Sequence, residues 1–558
     1  MHKDNMVGIG GRRVRSTGTQ WAAISAGALL ASLLTAPAAH AAPGEAAAEP
    51  ATRIDQKAFD WQPCEDLEPV GGTSLECAAI TVPLARTTGG ERVDDLAETV
   101  EIALSRVPAT GTAEHTVLVN PGGPGSAGRM WAAHTHNRMP EELRLTHDVV
   151  AFDPRGMGAS TPAVNCDPGF FAPVRRDTVP ADAMAERALL ADAEAYAAAC
   201  AEAAGPLLDH MRTEDTAHDM DDIRVALGLE QIDYLGYSYG SYLGTVYASL
   251  YPRSVRALVL DSVVNPDNPW YESNLVQSRA LDRSAGNFFD WVARHDDTYG
   301  LGADGETVAG AYYDLRAELG EDPDRDTVGP TELEGAVIVV AYSGRTWPAV
   351  AGALAARINE DDPEPLLALH GAYGDDADSD AGYGGYLAVQ CTDALWPRDW
   401  DTWRSDAREV HRDAPFMGWH NIWYNAPCLF WEGESDPWFQ VGDGPYEHPA
   451  YDGGVLLVHA TEDGATPVEG AHALRDRLSG SSLVVEEGGV THGVALTGNT
   501  CVDEAVVAYL RTGVLPRSRS QGPDLTCDAR PEPQPRTARS TPRMPVDRLG
   551  PVGLETSR

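Results

Sequence analysis

The sequence predicts an α/β protein with a mostly parallel, doubly wound sheet and a large helical insertion. Apolar runs typical of buried parallel strands alternate with helical patterns before residue 265 and again from residue 454. Between these stretches the alternation stops, and residues 265–444 have a mainly helical pattern with loops. A Gly-x-Ser-x-Gly pentapeptide, residues 236–240, joins one strand to the next helix. Repeated strand–helix alternation of this kind builds a parallel sheet that helices cover on both faces.

The first 41 residues have the pattern of an export signal. Arginines precede an apolar run over 21–34, and a small-x-small cleavage site follows over 39–41. A membrane anchor is the alternative, but the run is short for one. We expect a cleaved signal peptide over 1–41, a flexible lead-in over 42–60 and a secreted product, extracellular or cell-wall associated. No second apolar stretch reaches spanning length, so we expect no stable membrane insertion.

The chain is strongly acidic. Its 558 residues carry a formal net charge of −42, from 84 acidic and 42 basic residues. Such a field repels nucleic acid and attracts cationic ligands, peptide amino termini among them. A solvated acidic surface that favours solubility is the alternative explanation. We therefore expect no nucleic-acid partner, and the sequence leaves the oligomeric state open.

Eight cysteines are present, an even number that indicates disulfides in an exported chain. No Cys-x-x-Cys and no His/Cys cluster has the spacing of a metal site, so we expect neither metal nor cofactor. Many connectivities are possible, and pairing between sequence neighbours is the simplest. That pairing joins Cys64 to Cys77, Cys166 to Cys200, Cys391 to Cys428 and Cys501 to Cys527.

Residues 61–264 are predicted as the first part of the core. They begin with short β-like runs between turns, as expected for an antiparallel start to the sheet. Parallel strands and helices then alternate. The predicted strands are Leu75–Val82, Val100–Leu104, Thr116–Val119, Asp148–Phe152, Gln231–Leu235 and Val255–Leu260, and the predicted helices are Ala181–Ala204, Asp215–Leu227 and Ser241–Leu250.

Residues 265–444 are predicted as a helical cap and residues 445–527 as the second part of the core. The cap segment holds ten of the thirteen tryptophans, which suit a substrate-lined cleft or, for most of them, the cap's own core. The tail over 528–558 is rich in Pro, Arg and Ser, and we expect it to be disordered. The last core elements are predicted as strands Gly454–His459 and Ser482–Glu486 and helices Pro467–Leu478 and Val502–Arg511.

The pentapeptide has the context of a nucleophile elbow, which is a sharp turn from a strand into a helix. Such a turn places Ser238 in a strained conformation above a helix N-terminus, where developing negative charge is favoured. Gly236 and Gly240 supply the lack of bulk that the turn requires. The alternative is a glycine-rich turn with an incidental serine.

A serine nucleophile requires a base and an acid that orients the base, and in this architecture they follow in the order Ser, acid, His. Asp463 ends the strand after the cap, and Thr466 to Glu469 have the pattern of a capping box that begins the next helix. Glu462 and Asp261 are the alternative acids.

His492 is the predicted base because it follows the last strand in a loop flanked by glycine. His459 and His472 are the competitors, but they belong to a predicted strand and a predicted helix. The oxyanion hole requires two amide donors, which we assign to Tyr239 and to Gly123 in the glycine-rich loop after an earlier strand. A phosphate-binding loop is the alternative there, although no Gly-Lys-Ser/Thr follows.

Five ordered motifs together resemble the secreted actinobacterial tripeptidyl aminopeptidases, relatives of proline iminopeptidase within the α/β-hydrolase superfamily. They are Gly-Gly-Pro-Gly-Ser at 122–126, Phe-Asp-Pro-Arg-Gly at 152–156, the elbow at 236–240, Asp463-x-x-Thr466-Pro467 and His492-Gly493. Thr491 departs from the family pattern, where glycine is frequent. The resemblance implies an α/β-hydrolase fold with the cap inserted after the strand that follows the nucleophile helix. It also implies a serine exopeptidase that uses Ser238, His492 and Asp463 to remove tripeptides or other short units from free N-termini.

An exopeptidase requires a group that binds the substrate's ammonium, and acidic cap residues are the physical candidates. A carboxylesterase or amide hydrolase of small or lipid-like molecules is the alternative function, and a catalytically silent binding protein is a third. The acidic candidates among the cap's aromatic residues are Glu272, Asp393, Glu432, Glu434 and Asp436.

Overall fold

A computed structural model of the chain describes residues 59–86, 98–441, 454–478, 480–516 and 522–536. The predicted signal peptide and all but the last two residues of the predicted lead-in lie outside this part of the chain. The described residues form one sheet and the helices that cover it.

Within the described residues, ten strands form one sheet in the order β1-β2-β3-β5-β4-β6-β7-β8-β9-β10. β1, β2 and β3 pair antiparallel, β3 pairs antiparallel with β5, and all other neighbours pair parallel. The predicted mostly parallel sheet with an antiparallel start is confirmed. The strands are β1 (Gln62–Pro63), β2 (Glu76–Pro83), β3 (Thr99–Val107), β4 (His115–Asn120), β5 (His147–Phe152), β6 (Ile232–Tyr237), β7 (Val255–Asp261), β8 (Val455–Ala460), β9 (Ser481–Glu487) and β10 (Leu525–Asp528).

Helices cover both faces of the sheet. Leu258 of β7 packs in one buried cluster with residues of α3, α4, α5 and α15, whereas its neighbour Val259 packs in another with residues of α1 and α16. Successive strand residues point to opposite faces, so these clusters are the two sides of a doubly wound sheet. The core helices are α1 (Trp131–Arg138), α2 (Glu141–Arg144), α3 (Ala183–Ala204), α4 (Thr213–Ala226), α5 (Tyr239–Leu250), α15 (Glu469–Arg477) and α16 (Thr500–Thr512).

The described segment between β7 and β8 consists mainly of helices joined by loops. Trp291 and Trp347 lie in an apolar cluster made of this segment's own helices, while Trp270 and Trp438 join the cluster on the sheet. The tryptophans therefore both build the cap and attach it to the core. The cap helices are α6 (Trp270–Arg294), α7 (Asp296–Tyr299), α8 (Gly305–Glu321), α9 (Pro330–Val337), α10 (Trp347–Glu360), α11 (Glu364–Tyr373), α12 (Ser379–Asp393), α13 (Trp400–Asp413) and α14 (Gly418–Asn425).

No single helix in the described part is long and apolar enough to cross a membrane, although one bent pair, Pro330–Ala341 with Gly344–Glu360, meets the length and composition criteria at an angle of 119°.

All eight cysteines form disulfides, and the pairing between sequence neighbours is confirmed. The bonds join Cys64 to Cys77, Cys166 to Cys200, Cys391 to Cys428 and Cys501 to Cys527.

We predicted that the C-terminal tail is disordered from residue 528, and this prediction is wrong for the first residues of the tail. Asp528 ends β10, a strand that the sequence pattern did not reveal. Beyond it, Arg530 pairs with the buried Glu486 at 3.0 Å, and the Pro533 carbonyl accepts a hydrogen bond from the Trp291 indole at 3.3 Å. The chain therefore continues from the sheet onto the cap, and residues 537–558 lie outside the described part.

Candidate active site

Ser238 occupies a strained turn between β6 and α5. Its φ of +56° and ψ of −125° are rare for a residue with a side chain. The glycines on either side are required, because a Cβ on Gly236 would lie 2.2 Å from the Gly240 carbonyl and one on Gly240 would lie 2.8 Å from the Asn120 carbonyl. The strain and the crowding fix the position of the half-buried serine at the end of the sheet.

The glycine-rich loop after β4 packs directly against this turn. A Cβ on Gly122 would lie 2.8 Å from the Ser238 Cβ and 3.3 Å from the Tyr239 nitrogen. Gly122 and Gly123 both have φ near +100°, and the Gly122 amide donates to the Asn120 side chain at 2.9 Å. The structure thus brings the loop that carries Gly123 beside the Tyr239 amide, the other predicted oxyanion donor.

The Phe-Asp-Pro-Arg-Gly motif, residues 152–156, makes hydrogen bonds to the residues that follow that loop. The Asp153 carboxylate accepts hydrogen bonds from the backbone amides of Gly128 at 2.7 Å and Arg129 at 3.0 Å, and from the Arg129 side chain at 2.9 Å. Arg155 is buried and makes a bidentate pair with Asp219 of α4 at 2.7 and 2.8 Å. The motif is structural: it ties the end of β5 to the glycine-rich loop and to a core helix.

His492 and Asp463 are in direct contact although they are 29 positions apart in the chain. The His492 Nδ1 lies 2.9 and 2.8 Å from the two Asp463 oxygens. Asp463 Oδ1 also accepts the backbone amides of Ala465 and Thr466 at 2.9 Å, and the Thr466 hydroxyl donates to Oδ2 at 3.1 Å. Burial opposes ionisation of Asp463, but His492 and these donors outweigh it and hold the pKa of the carboxyl below its ordinary value.

The other ring nitrogen of His492 has no hydrogen-bond partner among the described residues, although it is buried. Because Asp463 fixes a proton on Nδ1, the neutral ring presents Nε2 as an acceptor. The backbone amide of His492 donates to the Tyr342 carbonyl at 2.8 Å, and the two rings are perpendicular with centroids 5.6 Å apart. The cap therefore holds the imidazole in place from one side.

The alternative acids and bases have other environments. His459 is buried within β8, with Nδ1 against its neighbour's carbonyl at 2.8 Å, and burial lowers its pKa. His472 belongs to α15, and Glu462 is exposed. Asp261 directs its carboxylate at backbone amides instead of at the imidazole.

The capping box predicted at Thr466 is wrong. The helix α15 begins three residues later, at Glu469, without a side-chain cap. The Thr466 hydroxyl instead contacts Asp463 and lies 3.2 Å from the His492 Nδ1. The Thr466 hydroxyl therefore binds the Asp463 carboxylate and does not cap the helix.

The five predicted ammonium-binding acids lie in different environments. Glu272, Glu432 and Glu434 are exposed, and Asp436 pairs with Arg212. Asp393 is buried at the end of α12, where it accepts the Thr213 amide at 2.7 Å and hydroxyl at 2.6 Å.

Asp393 is connected to the elbow through Thr213. The Thr213 hydroxyl lies 2.9 Å from the phenolic oxygen of Tyr239, the residue after Ser238. The adjacent Glu214, which the sequence analysis missed because a core helix offers no motif for it, faces the same region. Burial raises the pKa of both carboxyls, and Glu214 raises that of Asp393 further.

Two family models match the chain, one for the alpha/beta hydrolase fold over residues 115–303 and one described as TAP-like protein over 414–527. A tripeptidyl aminopeptidase of Streptomyces lividans is 35% identical over 94% of this chain and 99% of that protein. The chain belongs to the tripeptidyl aminopeptidase family of α/β-hydrolases. The serine protease Hip1 of Mycobacterium tuberculosis is 30% identical over 82% of this chain and 90% of its own. Carboxylesterase B of the same organism is 32% identical over 82% and 88%. The resemblance drawn from the motifs is confirmed.

In this tripeptidyl aminopeptidase family member, the cap touches both ends of the site. On one side, a Cβ on Gly125 of the glycine-rich loop would lie 2.2 Å from the Gly382 carbonyl of α12. On the other, the Gln277 side chain of α6 donates to the Ala465 carbonyl, next to the acid, at 2.9 Å. The cap therefore fixes the loops around the serine, the imidazole and the acid while it covers them.

Proposed function

We propose that the protein is a secreted serine exopeptidase that hydrolyses peptide bonds near free N-termini and releases tripeptides or other short N-terminal units. The observation that carries this proposal is the contact of His492 with Asp463, which leaves the His492 Nε2 without a hydrogen-bond partner among the described residues. The chain belongs to the tripeptidyl aminopeptidase family and also has a serine elbow. Four disulfides and the export pattern of residues 1–41 support secretion. N-terminal sequencing of the exported protein tests it, and an N-terminus that retains the apolar run would contradict it.

The proposed reaction passes through an acyl-enzyme. Ser238 Oγ attacks the carbonyl carbon of the scissile bond while the His492 Nε2 accepts its proton, and Asp463 stabilises the imidazolium that forms. The amides of Gly123 and Tyr239 stabilise the oxyanion. The tetrahedral intermediate then collapses, His492 protonates the leaving amine, and the N-terminal unit remains as an ester of Ser238. Water activated by His492 hydrolyses that ester.

We assign the substrate's ammonium to the acidic region that Glu214 and Asp393 form beside Tyr239. The Asp393 oxygens are already engaged by Thr213 and by the Trp270 indole at 3.1 Å. Glu214 carries the neighbouring carboxylate, and it is the second residue of α4, directly after Thr213. A carboxylate at a fixed distance from the serine would select peptides by the number of residues between their amino group and the scissile bond.

Peptides with free and blocked amino termini separate the proposed activity from its alternative. We expect a mixed peptide pool with free termini to yield short N-terminal products by mass spectrometry, and N-acetylated copies to react at least 10-fold more slowly. Blocked peptides cleaved at equal rates would contradict the exopeptidase. Faster cleavage of small blocked esters would instead favour the carboxylesterase.

The Glu214→Gln substitution tests the ammonium site. We expect kcat/KM for free peptides to fall about 10- to 100-fold, through KM, because a hydrogen bond to a charged group contributes about 1.5–3 kcal/mol. Hydrolysis of a small neutral ester should not change. Glu272→Gln, at an exposed acid of the cap, is the matched control and should leave both activities unchanged. An equal loss on peptide and ester would place the effect of Glu214 outside ammonium binding.

A further inference from the structure

Asp261 makes hydrogen bonds to two segments, one that carries Ser238 and one that carries His492. It ends β7 and is completely buried. Its carbonyl accepts the backbone amide of Ser238 at 2.9 Å. Its carboxylate Oδ2 accepts the amides of Val494 at 2.7 Å and Ala495 at 2.6 Å, two and three residues after His492. Asp261 therefore contacts both the backbone of Ser238 and the backbone of the loop that follows His492.

Neighbouring groups strengthen this connection. The Ser262 hydroxyl accepts the amide of Gly493 at 2.7 Å, and Ser262 itself has a φ of +53°. Its own amide donates to the Val458 carbonyl of β8, the strand that leads to Asp463. The Tyr237 hydroxyl, from the residue before the serine, donates to the Ala495 carbonyl at 3.0 Å. Consecutive amides 493, 494 and 495 are thus all held by side chains at the end of β7.

The environment of Asp261 differs from that of an acid that orients a base. Its oxygens contact backbone amides and the Ser262 hydroxyl at 3.3 Å, whereas the imidazole Nδ1–H donates its hydrogen bond to Asp463. Burial raises the pKa of Asp261 to about 7, and the two amide bonds only partly offset this effect. Burying a carboxyl group lowers the free energy of unfolding unless hydrogen bonds to its oxygens compensate.

We infer that Asp261 is a positioning residue that sets the separation of Ser238 and His492 by holding the backbone of the base loop, residues 492–496, against the nucleophile elbow. The inference rests on the proposed serine hydrolase chemistry and does not require a peptide substrate. Displacing a catalytic group by about 1 Å is enough to lower a rate about 100-fold. A side chain that only accepts hydrogen bonds is sufficient for this role, so the negative charge is dispensable.

The comparison of Asp261→Asn with Asp261→Ala tests the inference. Asparagine retains a carbonyl oxygen for the two amides, and we expect its kcat to stay within about 5-fold of the wild type. Alanine removes the acceptor, and we expect kcat to fall about 100-fold with little change in KM. If Asp261 instead acted as the charged partner of the base, asparagine would lose as much activity as alanine, and the inference would be overturned.

The rate of labelling by a fluorophosphonate, which reacts with an activated serine, provides a readout that does not depend on the physiological substrate. We expect Asp261→Ala to slow labelling in parallel with kcat. Labelling of the wild type without any peptide cleavage would contradict the exopeptidase but would leave the Asp261 comparison valid. Labelling of Asp261→Ala at the wild-type rate would overturn the positioning role.

Asp503→Ala is the matched control, because Asp503 accepts the Gly498 amide at 2.9 Å, two residues beyond the base loop. We expect it to lower the melting temperature but not kcat, whereas a general loss of loop stability would lower kcat in both variants. Should Asp261→Ala not fold, Tyr237→Phe removes the hydroxyl that donates to the Ala495 carbonyl. We expect that variant to lose about 3- to 10-fold in kcat, and unchanged kcat there would contradict the inference.

Discussion

Replacing Ser238 with alanine is expected to lower kcat by about 10⁴- to 10⁶-fold, the loss that removal of a nucleophilic serine causes when its base and acid remain. The substitution removes one oxygen from a half-buried side chain, so the unfolding transition should hardly change. Hydrolysis of a free peptide and labelling by a fluorophosphonate measure the effect, and both should disappear together.

Ser249→Ala is the control on the same helix. Its hydroxyl donates to the Thr245 carbonyl at 2.8 Å near the end of α5, about three turns from the elbow. We expect this variant to keep kcat within about 2-fold. A Ser238→Ala protein that retained a tenth of the wild-type activity would exclude Ser238 as the nucleophile.

Local sequence signals were sufficient for the central parallel strands of the sheet and for the turn at Ser238. The lack of bulk at the elbow glycines is visible within five residues, and the strands β6, β7 and β8 are mostly apolar because helices cover both faces. The contact of His492 with Asp463 also follows from topology, since both loops leave the same edge of neighbouring parallel strands. These features depend on short segments whose pattern is visible in the chain.

Contacts between distant segments could not be predicted in this way. Glu214 lies in the first turn of a core helix, and nothing in its local pattern indicates that it lies near Asp393, 179 positions away in the numbering of the chain. β10 has four residues with one apolar face, too short for a periodic signal. The Asp261 carboxylate reaches amides more than 230 residues later. In each case the contact joins segments that only the folded chain brings together.

The largest effect on stability is expected at Arg155. Its guanidinium is fully buried against Asp219 and also donates to the carbonyls of Leu84 and His210 at 2.9 Å. Arg155→Met would leave the Asp219 carboxylate buried without its partner, and removing one member of a buried pair costs about 3–5 kcal/mol of unfolding free energy. Denaturant titration with the disulfides intact measures this loss.

Two further variants separate the ion pair from the general effect of losing an arginine. Arg176→Met removes a cation whose pair with Asp192 is exposed, and we expect it to cost at most about 1 kcal/mol. The double variant Arg155→Met with Asp219→Leu removes both buried charges, so it should be more stable than Arg155→Met alone even though two carbonyls lose a donor. A double variant less stable than either single one would mean that Arg155 stabilises the fold mainly through its hydrogen bonds to the Leu84 and His210 carbonyls. These bonds join the residue after β2 to the segment before α4.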